Sequence, residues 1–202
     1  MRHSVLLSLA MFCLGILVSG KPTSAQTPCP ITPDAAATSE SATATATLAN
    51  DVGTRLNPVP FGTKISRTFA GSNPNKTWEL TVVKASFGKD GEKAVKAANQ
   101  FNDAPVDGNT NLVAYVQLKY VSGPSDKTVE LDAYGFSAYS DGQIMPRVSI
   151  VPPKPAFSFK GFPGATAKGW VAFQVFSDDP APELVWVVDS SDDTYNIYFA
   201  TK

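Results

Sequence analysis

Apolar and polar residues alternate through most of this 202-residue chain from about residue 57 onward. Successive side chains of a β-strand point to opposite faces, so a two-residue period predicts strands. The period is clearest at Trp78–Val82, Leu112–Tyr120, Gly169–Phe176, Leu184–Val188 and Tyr195–Phe199. Leu112–Tyr120 is apolar on both faces, which predicts a central strand that is covered on both sides.

Turn residues separate these segments and indicate how they pair. The Asp141-Gly142 pair favours a tight hairpin turn, so we expect Leu131–Tyr139 to pair with Ile144–Val151. Only Asp90–Asn99 has a helical pattern, and it is short. Seven to eight strands with one short helix predict an all-β fold, an antiparallel β-sandwich over residues 57–202.

The first 25 residues follow the plan of a secretory signal peptide. Arg2 supplies a positive charge, and Val5–Val18 is an uncharged, mostly apolar run that ends before small residues ahead of Gln26. A membrane-spanning helix needs about 20 apolar residues, and this run is shorter. We therefore predict a cleaved leader over 1–25, a secreted protein and no membrane span.

Residues 26–56 differ in composition from the segments on either side. They are rich in Thr, Ser, Ala and Pro and contain no aromatic residue, which predicts a disordered linker. Its threonines are alternatively a substrate for glycosylation. Cys29 is the one cysteine that remains after the leader is removed. In an oxidising compartment it is either an unpaired thiol or an intermolecular disulfide.

Composition narrows the possible functions. The only histidine, His3, lies in the leader, so the exported chain lacks the commonest general base and the commonest transition-metal ligand. Loss of Arg2 and Lys21 leaves 15 of the 17 basic residues against 18 acidic ones, a net charge of −3. A mildly acidic domain has no basic surface for phosphate backbones, so we predict no nucleic-acid partner and no cofactor.

Several segments carry a resemblance to a known family. Asn57–Gly62 opens the domain, Trp78–Val82 follows, and Asn99–Asn109 leads directly into Leu112–Tyr120. In this order they resemble the secreted immunoglobulin-like domain of unknown function found in bacterial lipoproteins and exported proteins, which is fold-related to a secreted immunoprotective antigen of mycobacteria. The resemblance implies an extracytoplasmic immunoglobulin-like sandwich and supplies no catalytic motif. Many members carry a lipid-attachment cysteine, which this chain lacks.

The polar loop at Asn99–Asn109 is the first candidate binding site. Its candidate ligand-binding residues are Asn102, Asp103 and Asp107. Oxygen ligands at this spacing suit Ca²⁺, although the spacing is not that of an EF-hand loop. The alternative is that these side chains bond to nearby backbone and order a turn, with Gly108 at a positive φ.

Two further segments offer candidate sites. Phe157 and Phe159 lie in a loop bounded by Pro and Gly and either cover the core or form an exposed recognition patch. Asp189, Asp192 and Asp193 lie between the last two predicted strands and are either solvated turn residues or a second calcium site.

These observations favour a non-catalytic binding or adhesion module at the bacterial cell envelope. The expected partner is an envelope or extracellular protein or glycan. One alternative is a carboxylate-dependent glycan hydrolase, which needs two acids on either side of a cleft. Its candidate acids are Glu79, Glu130, Asp132 and Glu183. A second alternative is a structural domain stabilised by calcium.

Overall fold

A computed structural model describes residues 51–69, 75–188 and 195–202. The described part contains ten strands and one helix: β1 Lys64–Phe69, β2 Lys76–Ser86, α1 Lys89–Ala98, β3 Asn109–Ser122, β4 Val129–Asp132, β5 Phe136–Ser140, β6 Gln143–Ile144, β7 Ser158–Gly161, β8 Thr166–Phe176, β9 Glu183–Trp186 and β10 Ile197–Ala200. The predicted all-β, antiparallel fold is confirmed. The predicted leader, Cys29 and the linker as far as residue 50 lie outside the described residues.

The first sheet has the strand order β1-β2-β3-β8, and every pairing in it is antiparallel. β3 lies between β2 and β8, as the apolar pattern of Leu112–Tyr120 predicts. Alternate residues of β3 from Leu112 to Tyr120 are completely buried in the core. The strand was identifiable because a central strand carries apolar side chains on both faces.

The second sheet has the order β10-β9-β5-β6, and β4 and β7 form a separate two-stranded pair. The core is a single cluster to which both four-stranded sheets contribute one face each. From the second sheet it receives Phe136, Ala138, Leu184, Trp186, Ile197 and Phe199. The two sheets therefore share one apolar interior, as in a β-sandwich.

Helix α1 confirms the helical pattern at Asp90–Asn99 and lies against β3. Gly91 makes this approach possible, because a Cβ atom there would lie 2.0 Å from the backbone oxygen of Asn111. Val95 faces the same way and is buried. The helix thus covers the outer face of β3 near its first residues.

The predicted hairpin around Asp141-Gly142 is present but much shorter than expected. β5 and β6 pair only at Tyr139–Ile144 and Ser140–Gln143, followed by one bond from the N–H of Met145 to the oxygen of Ala138. Pro146 comes next, and among the described residues no further backbone hydrogen bond joins this segment to β5. The chain from Pro146 to Pro153 forms no strand.

Residues 51–56, assigned from composition to the linker, pack on the folded domain. The N–H of Tyr198 donates to the oxygen of Gly53 at 2.9 Å, and Arg55 donates to the hydroxyl of Tyr139 at 3.1 Å. A few residues later, the N–H of Val59 donates to the oxygen of Tyr198 at 2.8 Å. This segment covers part of the second sheet.

Candidate functional site

Asn102 makes structural hydrogen bonds and also lines a shallow groove beside α1. Its amide nitrogen donates to the backbone oxygens of Val95, at 2.9 Å, and Val151, at 3.0 Å. Its side-chain oxygen accepts the N–H of Val151 at 2.9 Å. The side chain is 7% exposed and ties the loop after α1 to the segment that follows Pro146.

The rest of the polar loop forms an ordered turn. Gly108 has φ +83°, as expected, and Asn99 accepts the N–H of Phe101 at 3.1 Å. Asp103 and Asp107 are exposed, and Asp103 borders a shallow groove of about 210 Å³ beside α1. Within the described residues no group of three or more His, Cys, Asp or Glu side chains is placed to hold a metal ion.

Phe157 and Phe159 belong to the hydrophobic core and do not form an exposed patch. They are 3% and 4% exposed. Phe157 packs edge-on against Phe136 with ring centroids 5.1 Å apart, and Phe159 packs edge-on against Trp78 at 5.4 Å. Both rings fill space between the sheets and are not available at the surface, which is the core alternative of the sequence analysis.

The second calcium candidate, Asp189, Asp192 and Asp193, lies outside the described residues. Asp179, which follows β8, accepts three hydrogen bonds. Its carboxylate accepts from the hydroxyl of Ser140 at 2.7 Å and from the backbone N–H groups of Asp141 and Ala181. It orders the connection between β8 and β9, which belong to different sheets.

The four candidate acids for glycan hydrolysis lie on three strands: Glu79 on β2, Glu130 and Asp132 on β4, and Glu183 on β9. Glu79 pairs with Lys64 at 3.3 Å, Glu130 pairs with Lys160, and Asp132 accepts the N–H of Tyr134 at 2.8 Å. The fourth, Glu183, occupies a different setting. Burial raises the pKa of its carboxyl to about 7, the charge of Arg55 lowers it, and that of Asp179 raises it.

A larger groove of about 420 Å³ lies where the chain leaves the short hairpin. Its lining includes Tyr134, Arg147, Val148, Ile150, Ala172 and Phe173. Tyr134 is 73% exposed, although it is a large aromatic side chain. Because Ala172 and Phe173 point to opposite faces of β8, a groove that touches both runs along the edge of that strand.

Arg147 lines this groove and binds the backbone at the start of β5. Its guanidinium donates to the backbone oxygens of Phe136, at 2.7 Å, and Tyr134, and more weakly to that of Ala133 at 3.4 Å. It also stacks over the ring of Tyr134, 5.0 Å from the centroid. Within the described part of the chain its positive charge has no carboxylate within ion-pair distance.

The groove residues are not predictable from the apolar pattern, because Ile144–Val151 resembles a regular strand. Pro146 was the available signal, since proline inside a strand ends the ladder or marks an edge. No local sequence pattern predicts that Ala172 lines the groove. Its position there depends on which segment flanks β8, and that is a long-range property of the fold.

The described residues include no helix that is both long enough and apolar enough to cross a bilayer. Comparisons of the chain with protein-family models and with curated proteins find no match.

Proposed function

We propose that this chain is an exported, non-catalytic binding module that acts at the bacterial cell envelope. Export is supported by the leader-like pattern of residues 1–25. We also propose that the two packed sheets are an immunoglobulin-like sandwich. The sequence resemblance and the shared core of two antiparallel sheets support this assignment.

The observation that carries the proposal is the chemistry of the groove beside β8. Its lining is mainly apolar, and Arg147 is the one charged residue among the described lining residues. That guanidinium is already bonded to three backbone oxygens. Such a surface can hold a ligand, and its described lining residues include no His, Cys, Asp or Glu side chain to act as a general acid or base.

Glycan hydrolysis is the second candidate, because Glu183 has the raised pKa of a general acid. Two observations count against it. Asp179, the acid closest in electrostatic effect, is occupied by three hydrogen bonds. Glu183 also does not line the grooves of about 420, 210 and 190 Å³ in the described part of the chain. Burial in the sheet explains its pKa without a substrate.

The test is saturable binding of the purified protein to an envelope fraction from the organism that produces it. Val148→Glu places a charge in the groove, and Val83→Glu is the matched control on β2. Their wild-type side chains are 38% and 40% exposed. We expect Val148→Glu to abolish saturable binding and Val83→Glu to leave it intact. Equal binding by both variants, or no saturable binding by the wild type, would contradict the proposal.

The same preparations distinguish the alternatives. Release of reducing sugar ends from the envelope fraction, lost in Glu183→Gln, would establish the hydrolase instead. Thermal unfolding with and without EDTA tests the calcium-stabilised domain. We expect an unchanged midpoint, whereas a calcium-stabilised domain would lose its ion on chelation and unfold at a lower temperature.

A further inference from the structure

The edge of β8 is open at one place. Trp170 donates its N–H to the oxygen of Pro155 at 2.8 Å and accepts the N–H of Phe157 at 2.9 Å, so its backbone groups point away from β3. Backbone groups alternate in direction along a strand, and those of Ala172 and Gln174 therefore point the same way. The N–H of Phe176 confirms the alternation, because it donates to the hydroxyl of Ser140 at 3.2 Å.

Both ends of this edge are thus covered, and the middle is not. The chain that flanks Trp170 turns away after Phe157 to form β7, which pairs with β4. Among the described residues no backbone segment pairs with Ala172 or Gln174 on the side away from β3. Ala172 is half-buried and lines the groove, so the unpaired side of its backbone lies beside the groove.

The segment after Pro146 supplies a second wall of the groove. Val148, Ser149 and Ile150 line it, and Tyr134 adds an exposed aromatic ring. Asn102 holds this segment in place through two hydrogen bonds, because its side chain donates to the backbone oxygen of Val151 and accepts the N–H of Val151. An open strand edge next to a rigid apolar wall is the arrangement in which proteins accept an added strand.

The charge of the groove limits the chemistry of the occupant. Arg147 is the charged residue of the lining, and none of the described carboxylates forms an ion pair with it. Its bonds to backbone oxygens orient the guanidinium but do not neutralise it. A carboxylate on the ligand would supply the missing opposite charge, with charge-assisted hydrogen bonds.

We infer that the groove binds an extended peptide segment of another protein, which adds as a strand along β8 opposite Ala172 and places an acidic group near Arg147. This inference rests on the proposed binding function and specifies its partner class. Backbone hydrogen bonds to β8 provide a sequence-independent part of the affinity, and the apolar wall selects alternate apolar side chains. A glycan would satisfy neither the strand-like donor spacing nor the apolar wall.

The test uses a phage-displayed library of peptides with randomised residues, selected on the purified protein. We expect selected peptides to alternate apolar residues and to contain Asp or Glu. Replacing that acid by its amide should weaken binding by about tenfold, the equivalent of one charge-assisted bond. Val148→Glu should weaken it by more than tenfold, and Val83→Glu should leave it unchanged.

Amide hydrogen exchange locates the bound peptide. We expect the N–H of Ala172 to exchange at least tenfold more slowly in the complex, which is the signature of a new backbone hydrogen bond. Peptides that bind without protecting Ala172 would overturn the added strand while leaving the binding function intact. Failure to select any peptide would overturn the peptide inference, and the envelope-binding assay would still decide the function. Protection of Ala172 on concentrating the protein alone would instead identify a second copy as the occupant.

Discussion

The hydrogen bonds of Asn102 allow a prediction in which the same substitution costs very different amounts of stability at two sites of one loop. Asn102 acts as a donor to two backbone oxygens and as an acceptor once. Asn99, in the same loop, acts as an acceptor from the N–H of Phe101. An aspartate has nearly the same shape but no N–H group. Asn102→Asp therefore removes two donors, whereas Asn99→Asp keeps the observed bond.

The expected magnitudes differ severalfold. Each buried hydrogen bond left unmade costs about 1–3 kcal/mol, and a buried carboxylate facing carbonyl oxygens costs more. We expect Asn102→Asp to lower the free energy of unfolding by about 3–5 kcal/mol. Asn99→Asp adds a negative charge at the end of α1, which costs about 0.3–1 kcal/mol through the helix dipole.

Urea unfolding followed by tryptophan fluorescence measures both variants at pH 7. The larger effect corresponds to a decrease in Tm on the order of 10 °C for a domain of this size. Lowering the pH protonates the introduced carboxyl and restores one donor, so the deficit of Asn102→Asp should shrink in acid. If the two variants differ by less than about 0.5 kcal/mol, the donor role of Asn102 is wrong.

Further substitutions test the packing and the buried groups. Tyr120→Phe should raise the free energy of unfolding by about 1 kcal/mol in urea titrations, because its buried hydroxyl has no hydrogen-bond partner among the described residues. Gly91→Ala should lower it by about 1–3 kcal/mol despite the better helix propensity of alanine, since the new methyl group would contact the oxygen of Asn111. The raised pKa of Glu183, about 7 against an ordinary 4.5, means that the folded state holds its proton more tightly, so the wild type should lose stability as pH rises from about 4.5 to 7. Glu183→Gln should flatten that loss, and an unchanged pH profile would contradict the assignment.

Local patterns were sufficient to predict the strands that form the centre of the fold. β3 and β8 are runs rich in β-branched and aromatic residues with a two-residue period, and α1 differs from its surroundings in period. These signals depend only on which face of an element is buried, so they survive without knowledge of the partner element. The predicted antiparallel, all-β class follows from the same strands.

Pairing partners and the roles of single polar residues could not be predicted in this way. The predicted hairpin is longer than the observed one, because the apolar residues on either side of Pro146 resemble a continuous strand. Asn102 looked like a ligand residue, yet its main partner, Val151, is 49 residues away. Phe157 and Phe159 looked like loop residues because the sequence does not show that the sheets close over them. Each depends on a contact between distant segments, which periodicity does not encode.

The most direct test of the account is residue-resolved amide hydrogen exchange in the free protein. The central claim is that β8 keeps an open backbone edge at Ala172, beside the groove. The account predicts that the N–H of Ala172 exchanges much faster than those of Val171 and Phe173, which point toward β3. Equal protection at all three amides would mean that another segment already covers the edge, and a partner strand would have no place to bind.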